Sequence, residues 1–118
     1  MVFQEDRLID TLSSAENIAL VSNAEKAEYF LEKVGLSDAA GKYPPELSGG
    51  MSRRVAIARA LAYAGDILIL DEPFKGLETG LKKRIKDIIC EYAQSHSVIL
   101  VTHDEEEKLL AENFKKLG

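Results

Sequence analysis

The sequence predicts an α/β fold in which a helical segment leads into a strand–helix–strand unit with parallel strands. Two apolar runs and the helix between them carry this reading. Ile67-Leu68-Ile69-Leu70 and Ser97-Val98-Ile99-Leu100-Val101 are short, continuous and partly β-branched, the habit of strands buried on both faces of a parallel sheet. Between them Leu81, Ile85, Ile88 and Tyr92 recur at helical spacing, with Lys82, Lys83 and Lys86 on the solvated side. Strand, helix and strand in that order form a βαβ unit with a right-handed crossover.

Ahead of that unit the chain reads as helical. Ser13 with Glu16, and Ser22 with Glu25, have capping-box spacing, so each predicts a helix start. The second helix places Ala27, Phe30, Leu31 and Val34 on one face and ends at Gly35. Residues 36–46, with Gly41 and the pair Pro44-Pro45, read as a loop held extended just before Leu47. A longer helix runs from the Gly49-Gly50 pair to about Ala64, where Gly65-Asp66 stops it. After the second strand, Asp104 caps an acidic first turn, Glu105 to Glu107, of a last helix carrying Leu109, Leu110 and Phe114.

At 118 residues, 46% hydrophobic and 30% charged, the chain has the composition of one small globular domain with a modest core. A net charge of -5 and a pI near 5.1 argue against a nucleic-acid partner, which favours basic surfaces. The single cysteine, Cys90, excludes an intrachain disulfide framework and suits a reducing, cytoplasmic setting. No apolar run approaches the ~20 residues that span a bilayer. The first residues, Met1 to Arg7, lack the basic-then-apolar pattern of a signal peptide.

Two places along the chain carry chemistry. Two adjacent glycines weaken a helix, so Ser48-Gly49-Gly50 at a helix start either belongs to an ordinary loop or admits a close visitor to the backbone. A helix N-terminus has free N–H groups and a partial positive charge, which makes an anion the fitting visitor. The second place is the rim formed where the two strands end. Ligands of parallel sheets sit at the carboxyl ends of strands, and those ends carry Asp71-Glu72-Pro73 and Thr102-His103-Asp104. Side chains of Asp71 and Glu72 point opposite ways on an extended strand. One carboxylate can then hold a hard cation and the other take a proton from water; a solvated polar turn is an equally open reading of the same pair. A histidine beside them could hydrogen-bond a phosphate oxygen or place the water. His96 reads as plain surface, Cys90 as a packing residue in a helix, and the Lys82-Lys83-Arg84 run as a solvated face.

Together these residues resemble the nucleotide-binding domain of ABC transporters. Phe3-Gln4-Glu5 resembles the Q-loop, Leu47-Ser48-Gly49-Gly50-Met51 the signature, and Arg54 to Ala60 its continuation. Ile67 to Asp71 resembles Walker B, Glu72 the catalytic glutamate, Lys75-Gly76-Leu77-Glu78 the D-loop, and His103 the switch histidine. The resemblance implies ATP and Mg²⁺ as ligands. Asp71 and Gln4 would serve the metal, Glu72 and His103 catalysis, and Ser48, Gly49, Gly50, Gln4 and Glu78 the nucleotide. It also implies a head-to-tail dimer in which each signature closes on ATP held by a second ABC ATPase domain. A transmembrane permease subunit would hold the pair, peripheral, at the inner face of the cell membrane. The signature form resembles importer subunits for small anions or organic solutes.

The family's phosphate-binding P-loop, G-x-x-x-x-G-K-[ST], is found nowhere in the 118 residues. The resemblance is therefore to the second half of a truncated P-loop NTPase, beginning at the Q-loop. Its expected parts are residues 1–6 as Q-loop, 7–64 as helical subdomain, and 65–118 as the C-terminal part of the ATPase core. Three expectations follow. The missing N-terminal half bearing Walker A becomes a partner, the chain alone is not competent for hydrolysis, and Val98 to Thr102 forms an exposed apolar edge. Glu78 stands where the family usually has aspartate. An alternative reading is a non-catalytic regulatory or dimerisation half that lends its signature to a complete partner. A chromosome-maintenance ATPase is opposed by the lack of a heptad run before residue 47.

Overall fold

The βαβ unit is present and has a third strand beside it. A computed structural model describes residues 2–3, 7–65 and 67–102. Among them, β1 (Val2–Phe3), β2 (Ile67–Asp71) and β3 (Ser97–Val101) form one parallel sheet in the order β1-β2-β3. Leu68 pairs with Val98 and Leu70 with Leu100, so these four share one face of the pleat. That face turns into the core, where Leu68 and Leu70 are fully buried.

The opposite face corrects an expectation. Neither strand is buried on both sides: Ile99 and Val101 are 49% and 47% exposed, and Ile67 is 36% exposed. Among the described residues helices cover the sheet on one side only, and β3 is an edge strand as expected. A short, uncharged, exposed edge is a template for pairing with another chain.

Four helices complete the described part: α1 (Ser14–Ala19), α2 (Ala24–Lys33), α3 (Gly49–Tyr63) and α4 (Thr79–Ala93). The first opens on the expected capping box, with Glu16 N–H donating to Ser13 Oγ and Ser13 N–H donating to Glu16 Oε1. That backbone hydrogen bond holds the Glu16 carboxyl below its ordinary pKa. The second opens one residue later than Ser22: Asn23 is its cap, its side chain accepting from Lys26 N–H at 2.8 Å. Ser22 Oγ instead donates back to Ile18 O. The expected loop of residues 36–46 contains two single 3₁₀ turns, Ser37–Ala39 and Pro44–Glu46.

Helix α3 is the centre. Val55, Ala56, Ile57, Ala58, Ala60, Leu61 and Ala62 are all buried, so it is packed around most of its circumference rather than along one stripe. Four of the seven are alanine, which lets neighbouring elements approach closely. It ends one residue before the expected glycine. Ala64 itself takes the left-handed conformation, φ 56°, and Gly65 O accepts from the Tyr92 hydroxyl at 2.9 Å. Helix α4 buries Ile85 and Ile89. Gly35 closes α2 with φ +76°, as its position predicts.

One polar side chain organises the approach to α1. Asn17 is 1% exposed; its Oδ1 accepts from Ile9 N–H and its Nδ2 donates to the carbonyls of Ile9, Leu12 and Ser13. Leucine is close in size but leaves those backbone groups unpaired. We expect Asn17→Leu to lower unfolding free energy by roughly 2 kcal/mol or more, measured by urea denaturation. The open edge generates a second expectation: sedimentation should show self-association at roughly tens of micromolar that Ile99→Lys removes. A monomer at every concentration before substitution would overturn it.

Candidate functional site

The two chemistry-bearing stretches lie on different elements, and an arginine joins them. Ser48 is the N-cap of α3, extended at φ -70°, and its Oγ accepts from Met51 N–H at 3.2 Å. Gly49 and Gly50 then form the exposed first turn. Neither has a positive φ, and a Cβ built on either meets nothing within 4 Å. Backbone strain and internal crowding are the two local reasons for a glycine, and both are missing here. The remaining reason is the approach of something from outside the described chain. Exposed first-turn N–H groups at the positive end of a fifteen-residue helix suit an anionic visitor.

The second stretch begins at the end of β2. Asp71 is the last strand residue, in register with Val101. Glu72 then leaves the sheet with φ 49°, a left-handed conformation that strains a non-glycine residue by about 1 kcal/mol. Its surroundings impose it. Glu72 N–H donates to Val101 O at 2.8 Å, and Lys75 N–H donates to Glu72 O at 3.3 Å. The next two residues, Pro73 and Phe74, are buried anchors, and Gly76 completes the turn with φ +77°. The Glu72 side chain is half-buried. Strain of this kind persists where the fold over-determines it, most often at functional positions.

Arg53 of α3 donates through Nη1 to Lys75 O at 2.9 Å. The turn after β2 is thereby held to the helix that starts at Ser48. Glu78 is exposed and sits at the N-cap of α4 without a side-chain capping bond. Its charge faces Arg54, whose guanidinium is held below its ordinary pKa by burial and supported by that carboxylate.

The expected site residues fall into two groups, described and not. Ser48, Gly49, Gly50, Glu72 and Glu78 are placed as above. Gln4 and His103, the side chain of Asp71, and the expected last helix lie outside the described residues. Among those described, no cluster of three or more His, Cys, Asp or Glu is poised for a metal, and no helix is long and apolar enough to cross a membrane.

Several side chains make contacts that their sequence reading lacks. His96 is half-buried and stacks on Tyr92, ring centroids 4.2 Å apart at 18°. Arg84 is exposed, as read, and also donates to Glu32 O at 2.6 Å. Arg53 and Arg54 carried no individual reading, yet they make the tertiary bonds; two arginines at the start of an otherwise apolar helix were the available signal. Cys90 packs against the core, and burial, then Asp87, raises its thiol pKa.

Comparison with known proteins agrees with this geometry. Residues 1–75 match the family model described as ABC transporter. The aliphatic sulfonates import ATP-binding protein SsuB 1 of Pseudomonas aeruginosa is 39% identical over 113 residues, covering 91% of this chain and 45% of that protein. SsuB 3 of Nocardia farcinica is 43% identical, covering 93% and 47%. The macrolide export ATP-binding/permease protein MacB of Aggregatibacter actinomycetemcomitans is 37% identical, covering 88% and 18%. A dimeric ATP-binding cassette solved in a post-hydrolysis state with ADP and phosphate superimposes with a TM-score of 0.79 at 29% identity, covering 92% of this chain and 53% of that one. The chain spans about half the length of the sulfonate-import relatives it matches. The matched stretch contains the Ser48–Gly50 helix start and the strained turn at Glu72, and on this sequence and structural agreement the chain belongs to the ABC transporter family, with the α/β fold of its ATP-binding cassette.

Proposed function

We propose that this chain forms the signature-bearing part of an ATP-hydrolysing domain that powers transport through a membrane permease. The observation that carries the reading is the Gly49-Gly50 turn, open to solvent and without an internal reason to be glycine. In this reading the turn receives the γ-phosphate of ATP bound by a second domain in a head-to-tail pair. Ser48 Oγ lies within reach of the same N–H groups and can donate to a phosphate oxygen. Glu72, held by its turn at the strand end, accepts a proton from the attacking water. Asp71 and Gln4 would hold Mg²⁺, which supplies neutralisation of phosphate charge. His103 would hydrogen-bond the phosphate, and Glu78 would lie at the seam between domains.

The division of labour follows the expected parts: a Q-loop at residues 1–6, a helical subdomain at 7–64, and the core from 65 onward. The helical part carries a groove of about 550 Å³ floored by Ala15, Ala19, Ala27 and Leu31, with Glu28 and Glu32 among its lining. Its size and apolar floor support docking of a permease segment there, which would place the domain at the cytoplasmic face of the membrane.

Hydrolysis requires a P-loop, so the test supplies one. The chain alone should show essentially no heat of binding with ATP at about millimolar concentration, because the P-loop supplies the main phosphate contacts. Mixed with the P-loop-bearing N-terminal part of a sulfonate-import relative, it should hydrolyse ATP. Glu72→Gln should then lower turnover by about 100-fold or more with nucleotide still bound, and Ser48→Arg should stop turnover. Full activity in Glu72→Gln would remove Glu72 from the role of base. Binding without turnover in the unsubstituted pair would favour a non-catalytic half that only lends its signature.

The glycines permit a separate check. Gly49→Ala and Gly50→Ala are each expected to leave the chain equally stable or to stabilise it by about 0.5 kcal/mol, since both positions are helical and uncrowded. The same substitutions should abolish turnover in the mixed pair. A loss of stability on urea unfolding would show that the glycines serve the fold instead.

A further inference from the structure

The C-terminal end of α2 is gripped from two sides. Val34 is the C-cap of α2, and its carbonyl accepts from Arg54 Nη1 of α3 at 3.0 Å. Glu32 O accepts from Arg84 Nη2 of α4 at 2.6 Å. Val34 O is one of the carbonyls that a helix end leaves without an intrahelical partner, whereas Glu32 O also accepts from Gly35 N–H at 3.0 Å. Gly35 lies between the two arginines. A Cβ there would stand 3.3 Å from Leu81 Cδ1, 3.5 Å from Arg54 Nη1 and 3.8 Å from Arg84 Nη1, on a backbone at φ +76°. A methyl there would press lightly on Leu81 and touch both arginines, and the left-handed backbone would strain any residue but glycine.

Arg54 has a second hold. Its Nε donates to Gly50 O at 3.4 Å, within the exposed first turn of α3. One planar guanidinium therefore touches the helix start and the end of α2 together. Lysine could keep the charge but not this forked reach. Helix α2 also contributes Ala24, Ala27, Glu28, Leu31 and Glu32 to the groove, so the helix that Arg54 holds is one that a docked partner would press upon.

We propose that Arg54 is a positioning residue that sets the attitude of the Ser48–Gly50 turn from the C-terminal end of α2, with Arg84 and Gly35 completing the joint. A displacement of α2 then moves the helix start that faces the phosphate. The inference rests on the reading of Ser48–Gly50 as a phosphate-facing surface. It names the route by which that surface is aligned.

The test uses the chain itself, without nucleotide, so its outcome is independent of whether the mixed pair hydrolyses ATP. Amide hydrogen exchange is followed by NMR in Arg54→Lys. Exchange at Met51 and Ser52, whose N–H groups bond to Ser48, and at Gly35 and Leu36, whose N–H groups bond to Glu32 O and Leu31 O, should quicken by about fivefold or more. Ile57 and Leu61 in the middle of α3 should stay within about twofold, because the opening is local. Gly35→Ala strains the joint from the α2 side with Arg54 intact, and the same Met51 and Ser52 amides should respond. The double variant should show less than the product of the two single effects. Uniform quickening of all amides, or quickening at Gly35 and Leu36 with Met51 and Ser52 unchanged, would overturn the proposal. If Arg54→Lys does not fold, the response of Met51 and Ser52 in Gly35→Ala decides.

Discussion

Three carbonyl oxygens far apart in the chain, those of Arg7, Val34 and Lys75, are each held by an arginine of the same helix. Arg59 reaches the first, Arg54 the second and Arg53 the third, at 3.0, 3.0 and 2.9 Å. The rest of the described structure depends on α3 because it is both the most deeply packed helix and the one that binds these segments. Its alanine-rich body admits close neighbours, and its three arginines add backbone tethers to segments that packing already anchors. A guanidinium is suited to such tethering because it carries five donors in a rigid plane and stays charged.

That arrangement explains how an exposed turn can be well placed. Gly49 and Gly50 have no internal contacts for a Cβ to meet, and glycine there weakens the first turn of the helix. The position of that turn therefore comes from below, through the buried part of α3, and from the side, through Arg54. The same helix reaches across by Arg53 to the turn in which Glu72 is strained. Two places that are distant in sequence are thereby linked through one helix.

The sheet presents the opposite condition. Leu68, Leu70, Val98 and Leu100 turn into the core, while Ile67, Ile99 and Val101 remain substantially exposed. An apolar face of this kind fits a chain that spans about half the length of its sulfonate-import relatives. The composition of β2 and β3 is that of strands covered on two sides, and the described helices cover one.

Local pattern was enough to determine a good part of this protein. The capping box at Ser13 and Glu16, the glycine end of α2 and the start of α3 after Ser48 follow from spacing and side-chain type, since each is settled by bonds within a few residues, and both longer strands follow from their continuous apolar, partly β-branched runs. The resemblance of Leu47–Met51 and Ile67–Glu72 to a known family was likewise legible, because those motifs are contiguous. Tertiary structure alone decided the rest. It chose Asn23 over Ser22 as a cap, because Ser22 found the Ile18 carbonyl instead. It stacked His96 on Tyr92 and moved the helix stop from Gly65 to Ala64. It made tethers of Arg53, Arg54, Arg59 and Arg84. Their acceptors are backbone carbonyls, which every residue possesses and no residue type advertises, so only the folded chain could say which ones lie within reach.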